Sequence, residues 1–397
     1  MNAQEFNYLK SEAGQAAYQQ YRFYDLKKLE LLILKNSAAQ PEFGALVSLI
    51  KLRQAAAGKF SRSESMFFTP LSLEQATSEI IAKHIAARFQ PTWKVVDLTC
   101  GLGGNAIFLA QKVKHVLAID LDETKINCAK ENAAAYEVRD KIDFVTGDAF
   151  LNIKEDVAAF FLDPARDREG ATKTRSFLNS QPALLDILPK LFAITHNVAV
   201  KISPAFDYEE LKLLPEEPEL EIISENNNCK VAMLWFGAFK TAKRRATGFK
   251  GENFFSITGG VEKNIDIVPL KKYLYEPNKA ISKAHLINEA ATKFSLAKIN
   301  FDLSWLTSDE LVDTDGLNIF RKFKVLHSED FSLKKFKEFL KNRGIYRAEI
   351  MTKHFPMAPE EIRARLKLKD GGTAVLILTV DNNDKKVFIL AEKVDLF

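Results

Sequence analysis

Residues 95–110 read Val-Val-Asp-Leu-Thr-Cys-Gly-Leu-Gly-Gly-Asn-Ala-Ile-Phe-Leu-Ala, "VVDLTCGLGGNAIFLA". An apolar strand runs through three glycines into an apolar helix. Gly101-Leu-Gly103-Gly104-Asn105-Ala106 satisfies G-x-G-x-x-G/A, a spacing that lets a ligand approach the backbone closely. The same glycines could merely allow a tight strand–helix turn. The surroundings favour a nucleotide or adenosyl ligand. A strand precedes, a helix follows, and Asp120 closes the next strand, where a carboxylate can accept from ribose hydroxyls.

Two features choose among such ligands. Asp97 lies inside the strand, four residues before Gly101. A pyrophosphate there would meet a carboxylate and be repelled, whereas an ammonium and a sulfonium would be attracted. S-adenosylmethionine carries both charges. The second feature is "FFLDPARDREG", in which Asp163-Pro164 ends the fourth strand. Ligands of open α/β sheets sit beyond the carboxyl ends of the strands, so Asp163 is expected to face the same crevice. Asp148, in "VTGDAF", ends the third strand and is placed to accept from an adenine amino group. Each acid also has a plain alternative as a turn cap or strand-end residue. Four of them ending successive strands favour the site.

The rest of the chain gives the setting. At 397 residues, two or three domains are expected, and 47% hydrophobic with 27% charged residues excludes global disorder. The start, "MNAQEFNYLKSEAG", shows no basic region followed by an apolar run, so no secretory signal is expected. "VAMLWFGAF" at 231–239 is too short to span a bilayer. Three cysteines without CxxC spacing and six scattered histidines suggest neither a disulfide framework nor a metal site. A cytoplasmic protein without membrane or metal is the expectation. Oligomeric state is not legible.

Residues 1–90 carry apolar residues at three- and four-residue spacing and read as a helical region. From 91 to 248, "KVVDLT", "HVLAID", "IDFVTG", "AAFFLD", "NVAVKIS" and "KVAMLWFGAF" alternate with helical stretches, the pattern of a parallel sheet. Residues 249–320 read as a compact linker or a small, ferredoxin-like domain. Residues 321–397 read as a small α+β domain. There a helix, "SLKKFKEFLKNRG", precedes a hairpin, "TAVLILTV" and "KKVFILAEKV" joined by "DNND". From Arg321 onward there are 17 Lys and Arg against 11 Asp and Glu. "KTAKRRATGFK" at 240–250 adds five cations without an acid. Such runs are commonly solvated surface; their concentration also suits an anionic partner such as RNA.

"VDLTCGLGGN", "AIDLD", "GDAF" and "LDPA" resemble the motifs of class I S-adenosylmethionine-dependent methyltransferases. "FFTPLSLEQATSEIIAKHIAARF" before the glycine loop resembles the trimethylguanosine synthase branch, which methylates a guanine amino group of RNA caps. Over residues 45–395 the chain is most similar to bacterial methyltransferases carrying a THUMP-like C-terminal domain. The supporting pieces include "KISPAFD", "LWFGAFKTAKRRAT" and "YLYEPNKAISKAHL". The resemblance implies an α/β fold: a Rossmann-like class I methyltransferase sheet with an N-terminal helical region and a small C-terminal α+β domain. It implies S-adenosylmethionine as cofactor and RNA as partner, since THUMP domains bind RNA. By position, Phe68 and Thr69 would cover the cofactor. Asp97, Cys100, Gly101, Gly103 and Asn105 would form the loop at its methionine end, Asp120 would hold the ribose and Asp148 the adenine. Asp163, Pro164 and Arg166 would border the methyl acceptor. Phe68 could equally be a core aromatic, and Arg166 a surface ion pair.

Two departures bear on the acceptor. Amino-group methyltransferases commonly show (D/N)PP followed by an aromatic that stacks on the base, where this chain has Asp163-Pro164-Ala165-Arg166. RNA 5-methyluridine enzymes, with DPPRxG, place a nucleophilic cysteine at the next strand end. Here "KISPAFD" offers Ser203-Pro204 and no cysteine, which disfavours carbon methylation by that route, and Cys229 reads as structural. The reading is a methyltransferase acting on a nitrogen of an RNA base. Alternatives are an S-adenosylmethionine-binding RNA-binding module without turnover, a nicotinamide-dependent dehydrogenase, and a methyltransferase for protein or small molecules.

Overall fold

Five short parallel strands build the sheet that positions the glycine loop. The computed structural model describes residues 1–25, 27–31, 42–148, 153, 156–166, 176–177, 180–260 and 264–394. Two compact units divide the chain, Met1–Glu219 with Met233–Thr241, and Leu220–Ala232 with Ala242–Phe397.

In the first unit the strands are β1 (Lys94–Asp97), β2 (His115–Asp120), β3 (Ile142–Thr146), β4 (Ala159–Leu162) and β7 (Val198–Ile202). A two-residue pair, β5 (Ala165–Arg166) and β6 (Ser180–Gln181), follows β4. The sheet order is β7-β4-β1-β2-β3, all parallel. β4 is buried at every residue and β7 at all but Lys201, as expected of parallel strands covered on both faces. Strand order reverses between β1 and β4, because β2 and β3 extend one way and β4 and β7 the other. Ligands of open α/β sheets bind beside that reversal, at the carboxyl ends.

Helices α1 (Ala3–Lys10), α2 (Glu12–Tyr21), α3 (Glu42–Ala56), α4 (Pro70–Gln75) and α5 (Glu79–Ala87) precede the sheet, and the expected N-terminal helices are present. Part of the expected helix "FYDLKKLELLILK" lies outside the described residues. α1 opens on a capping box between Asn2 and Glu5, which satisfies donors that a helix start leaves open. Phe6, Leu9, Tyr18, Phe43, Leu46 and Ile50 form one buried cluster with Phe67 and with Cys128 of α7 (Glu123–Ala135). Between the strands stand α6 (Ala106–Lys112) and α8 (Leu184–Phe192). Arg88, at the end of α5, is bound by Glu219, with nitrogen–oxygen distances of 2.9 and 3.0 Å and a fully buried carboxylate.

The second unit contains strands that sequence reading did not separate: β8 (Glu219–Glu225), β10 (Arg244–Lys250) and β11 (Asn253–Gly259). β10 runs parallel to β8 and antiparallel to β11. The basic run at 240–250 is therefore partly a strand, with Ala246–Phe249 buried, rather than solvated throughout. β9 (Asn228–Trp235) realises the expected strand "KVAMLWFGAF" only as far as Trp235. Just beyond its end, within the first unit, Phe236 N donates to Val198 O of β7 at 2.9 Å.

A seven-stranded sheet of order β13-β14-β12-β15-β18-β17-β16 completes this unit. Its strands are β12 (Tyr273–Pro277), β13 (Ala297–Lys298), β14 (Leu306–Ser308), β15 (Phe320–Asp330), β16 (Glu349–Thr352), β17 (Ala374–Val380) and β18 (Lys386–Lys393). Strands from 273–308 thus share one sheet with those after 320. α9 (Lys279–Lys283) and α10 (Ile287–Lys293) follow β12. Along β17, Val375 and Ile377 enter one buried cluster with Trp305 and Phe323. Leu376 and Leu378 enter another with Phe336 of α11 (Leu333–Asn342) and Ile362 of α12 (Pro359–Leu366). Period-two alternation with both faces covered explains why "TAVLILTV" is apolar throughout.

Candidate active site

The loop after β1 is held by its own backbone. Cys100 N donates to Ile119 O at 2.9 Å and Gly103 N to Cys100 O at 2.8 Å. Gly101 and Gly103 adopt φ of +55° and +84°, the region glycine enters without steric cost. A side chain on Gly103 would also come within 3.2 Å of Ala129 Cβ on α7. Asp120 serves this loop directly, its Oδ2 accepting from Gly101 N at 2.9 Å and its Oδ1 from Asp122 N at 3.0 Å. A carboxylate oxygen accepts more than one hydrogen bond, so Asp120 keeps capacity for a ligand hydroxyl.

Asp97 is 1% exposed. Its Oδ1 accepts from Thr99 N at 3.1 Å, and its buried Oδ2 has no hydrogen-bond partner among the described residues. Burial, with Asp163 and Asp120 nearby, pushes its carboxyl up to about 8, against the opposing pull of Thr99 N and Lys201. Asn105, ahead of α6, holds a second unpartnered buried oxygen, Oδ1. Two acceptors buried without donors are costly in a finished core and suit a cationic donor such as an ammonium. The Cys100 thiol is pushed well up, chiefly by burial, which argues against a thiolate there.

Across the strand reversal, Asp163 N donates to Thr99 Oγ1 at 2.7 Å, tying the end of β4 to the loop after β1. Asp163 Oδ2 accepts from Lys201 Nζ at 2.5 Å, with side-chain exposures of 33% and 11%. Lys201 Nζ also lies 3.5 Å from Gln75 O. Sequence reading missed Thr99 and Lys201. The signal for Lys201 was a single cation in the otherwise apolar "VAVKI" on the strand beside β4. Pro164 is buried, and Arg166 pairs through its backbone with Ser180. The Arg166 side chain lies outside the described residues, as do 167–175.

Asp148 is exposed just beyond β3, and the adjacent Gly147 N donates to Asp120 O at 3.0 Å. Thr69 caps α4, its Oγ1 accepting from Ser72 N at 3.1 Å. Phe68 is 3% exposed, its ring 5.7 Å from that of Phe60. The segment is joined to the glycine loop by buried Asn132, another residue the sequence did not flag. Asn132 accepts from Phe67 N at 2.7 Å and donates to Phe67 O and Leu102 O. The structure thus gathers Asp97, Cys100, Gly101, Gly103, Asn105, Asp120 and Asp163 around one strand reversal. Among the described residues no helix is long and apolar enough to cross a membrane.

A parallel sheet of this order, with a glycine loop after the first strand and carboxylates at the strand ends, is a Rossmann-like fold. Residues 92–167 match the family described as RNA cap guanine-N2 methyltransferase, and residues 320–393 match the family described as THUMP domain-like. Over 341 residues the chain is 26% identical to an uncharacterized S-adenosylmethionine-dependent methyltransferase of Mycobacterium tuberculosis, covering 84% of this chain and 92% of that protein. It shares the fold of a methyltransferase candidate from Porphyromonas gingivalis, with TM-score 0.80 and 24% identity over 96% of this chain and 97% of that one. A 23S rRNA uracil C5-methyltransferase of Polynucleobacter necessarius is 39% identical over 83 residues, 19% of this chain and 18% of that protein. The chain has the Rossmann-like fold of these methyltransferases, and its C-terminal segment matches a THUMP-like domain.

Proposed function

We propose that the chain transfers the methyl group of S-adenosylmethionine to a nitrogen of an RNA base. The observation that carries this is the Asp97 carboxylate at the end of β1, its Oδ2 without a partner among the described residues, joined through Thr99 to a second polar strand end at Asp163. Asp97 Oδ2 and Asn105 Oδ1 would receive the ammonium of the methyl donor. Gly101 N and Gly103 N are taken by Asp120 and Cys100 O, so the amides of Leu102 and Gly104 would face its carboxylate, and Asp120 the ribose. S-adenosylmethionine supplies an activated methyl group, and the chain supplies alignment and exclusion of water. Asp163 and Pro164 border the place where the acceptor would lie.

Support for RNA comes from several sources. The THUMP-like segment coincides with the basic surplus after Arg321, and matched relatives include RNA methyltransferases. Carbon methylation is not favoured, because the strand end at 203–204 is Ser-Pro without a cysteine. A pyrophosphate cofactor would be opposed by the ionised form of the buried Asp97.

The test uses tritium-labelled S-adenosylmethionine with total RNA, total protein and small metabolites from cells lacking this chain. Label is expected in an RNA fraction with wild-type protein and not with Asp163→Ala. Label in protein or metabolites would overturn the RNA reading. No label anywhere, with donor binding intact, would overturn turnover itself.

A further inference from the structure

The Asp163–Lys201 pair occupies the position where an acceptor would be bound, and its chemistry restricts what that acceptor can be. Asp163 directly follows β4 and Lys201 is the penultimate residue of the adjacent β7, with Leu162 in register with Val200. The ammonium takes Asp163 Oδ2, and among the described residues no hydrogen bond falls on Oδ1. Lys201 carries three N–H donors. Asp163 and the Gln75 carbonyl use two of them among the described residues. One free donor and one free acceptor, side by side, are complementary to a C(=O)–N–H edge.

Resting on the methyl-transfer reading, we propose that Lys201 contacts the substrate and that the pair selects a lactam nitrogen, the ring N–H beside a carbonyl in guanine or uracil. An exocyclic amino group becomes cationic as it is methylated, and a neighbouring ammonium opposes that charge. A lactam nitrogen must lose its proton to expose a lone pair. The negative charge then rests largely on the carbonyl oxygen, where Lys201 Nζ stabilises it. The ring N–H proton passes to Asp163 Oδ1 and the nitrogen forms the bond to the methyl carbon. The carbon–sulfur bond breaks with its electron pair returning to sulfur as a neutral thioether, and Asp163 releases the proton to water. The missing aromatic after Pro164 agrees with a site that does not hold its base in the manner of amino-group enzymes.

The experiment incubates full-length wild type, Lys201→Met and Lys201→Arg with S-adenosylmethionine and RNA from cells lacking this chain. The RNA is digested and its nucleosides analysed by mass spectrometry. Calorimetry measures the affinity of each protein for S-adenosylhomocysteine. A wild-type product methylated on a lactam nitrogen is expected. Lys201→Met should lose about 100-fold in kcat, the scale for removing one donor to a developing oxyanion, with the acidic limb of its rate–pH profile moved to higher pH. Lys201→Arg should recover part of the rate and, keeping the positive charge that acts on Asp97, should bind S-adenosylhomocysteine within about twofold of wild type. A product methylated on an exocyclic amino group, a Lys201→Met enzyme at the wild-type rate, or a Lys201→Arg enzyme that has lost S-adenosylhomocysteine would overturn the inference and leave the proposed function standing. Wild-type transfer to no RNA nucleoside would overturn the proposed function and the inference with it.

Discussion

Buried or half-buried carboxylates occur on strands of both units, and they are treated in opposite ways. In the second unit Glu276 lies between Arg321 at 3.1 Å and Lys353 at 3.0 Å, and Glu349 between Arg321 at 2.7 Å and Lys393 at 2.6 Å. Burial works to raise Glu349, but the hydrogen bonds from Lys393 and Arg321 outweigh it and hold the carboxyl below its ordinary value. In the first unit Asp97 is buried with one oxygen unpartnered and is pushed up to about 8. One set neutralises itself within the fold. In the proposed function the other receives its cation from the ligand. Burial by itself is not the difference, because Glu219 of the first unit is more buried than Asp97 and is paired with Arg88.

The largest expected effect isolates that point. Arg88→Met removes the cation facing the buried Glu219 carboxylate, leaving it the hydrogen bonds from Thr241 N and Oγ1, and should cost about 3–5 kcal/mol of unfolding free energy, measured by urea denaturation. A cost under about 1 kcal/mol, typical of an exposed ion pair, would mean the pairing at Glu219 does not separate it from Asp97.

Asp97→Asn should do the reverse. Calorimetry should show donor affinity lowered about 100-fold, the scale for truncating one partner of a buried charge pair. The melting temperature at pH 8 should not fall and should rise, since the variant removes an unpartnered buried charge. A variant that both melts lower and keeps its affinity would break the comparison.

The pH dependence follows from the same group. The folded-state carboxyl near 8 lies above the unfolded value of about 4, so between these the folded state binds more protons and stability falls as pH rises. A ligand ammonium needs the deprotonated form, so donor affinity should rise with pH from 6 to 8, by at most about tenfold per unit, and level off above. Titrations across that range check both slopes.

The smallest effect is expected at the neutralised set. Arg321, with its side chain 37% exposed, is partly screened by solvent. Arg321→Met should cost no more than about 1 kcal/mol and leave donor affinity unchanged.

Much of the first unit was legible because a parallel βα pattern writes itself as short apolar runs between helices, with glycines at the turn. The strands containing Val95, Val116, Phe144, Phe160 and Val200 form where their apolar runs stand. β8, β10 and β11 were not legible. Glu221 and Thr247 are polar residues inside buried strands, satisfied by a 2.6 Å bond to each other that no local pattern announces. The segment after 249 read as separate because β12 finds its partner β15 across more than forty residues. In the site, the glycines and acids declared themselves by spacing. Thr99, Asn132 and Lys201 act through contacts between distant segments, and only Lys201 left a trace, as a cation in an apolar strand.

The central claim is that Asp97 is held ready for the ammonium of S-adenosylmethionine. Its most direct test is calorimetric titration of the ligand at pH 7 in two buffers of different ionisation enthalpy. A carboxyl near 8 is mostly protonated at that pH, so binding should release close to one proton, and Asp97→Asn should bind weakly and release none. Tight binding with no proton released, or binding of a nicotinamide dinucleotide in its place, would contradict the account.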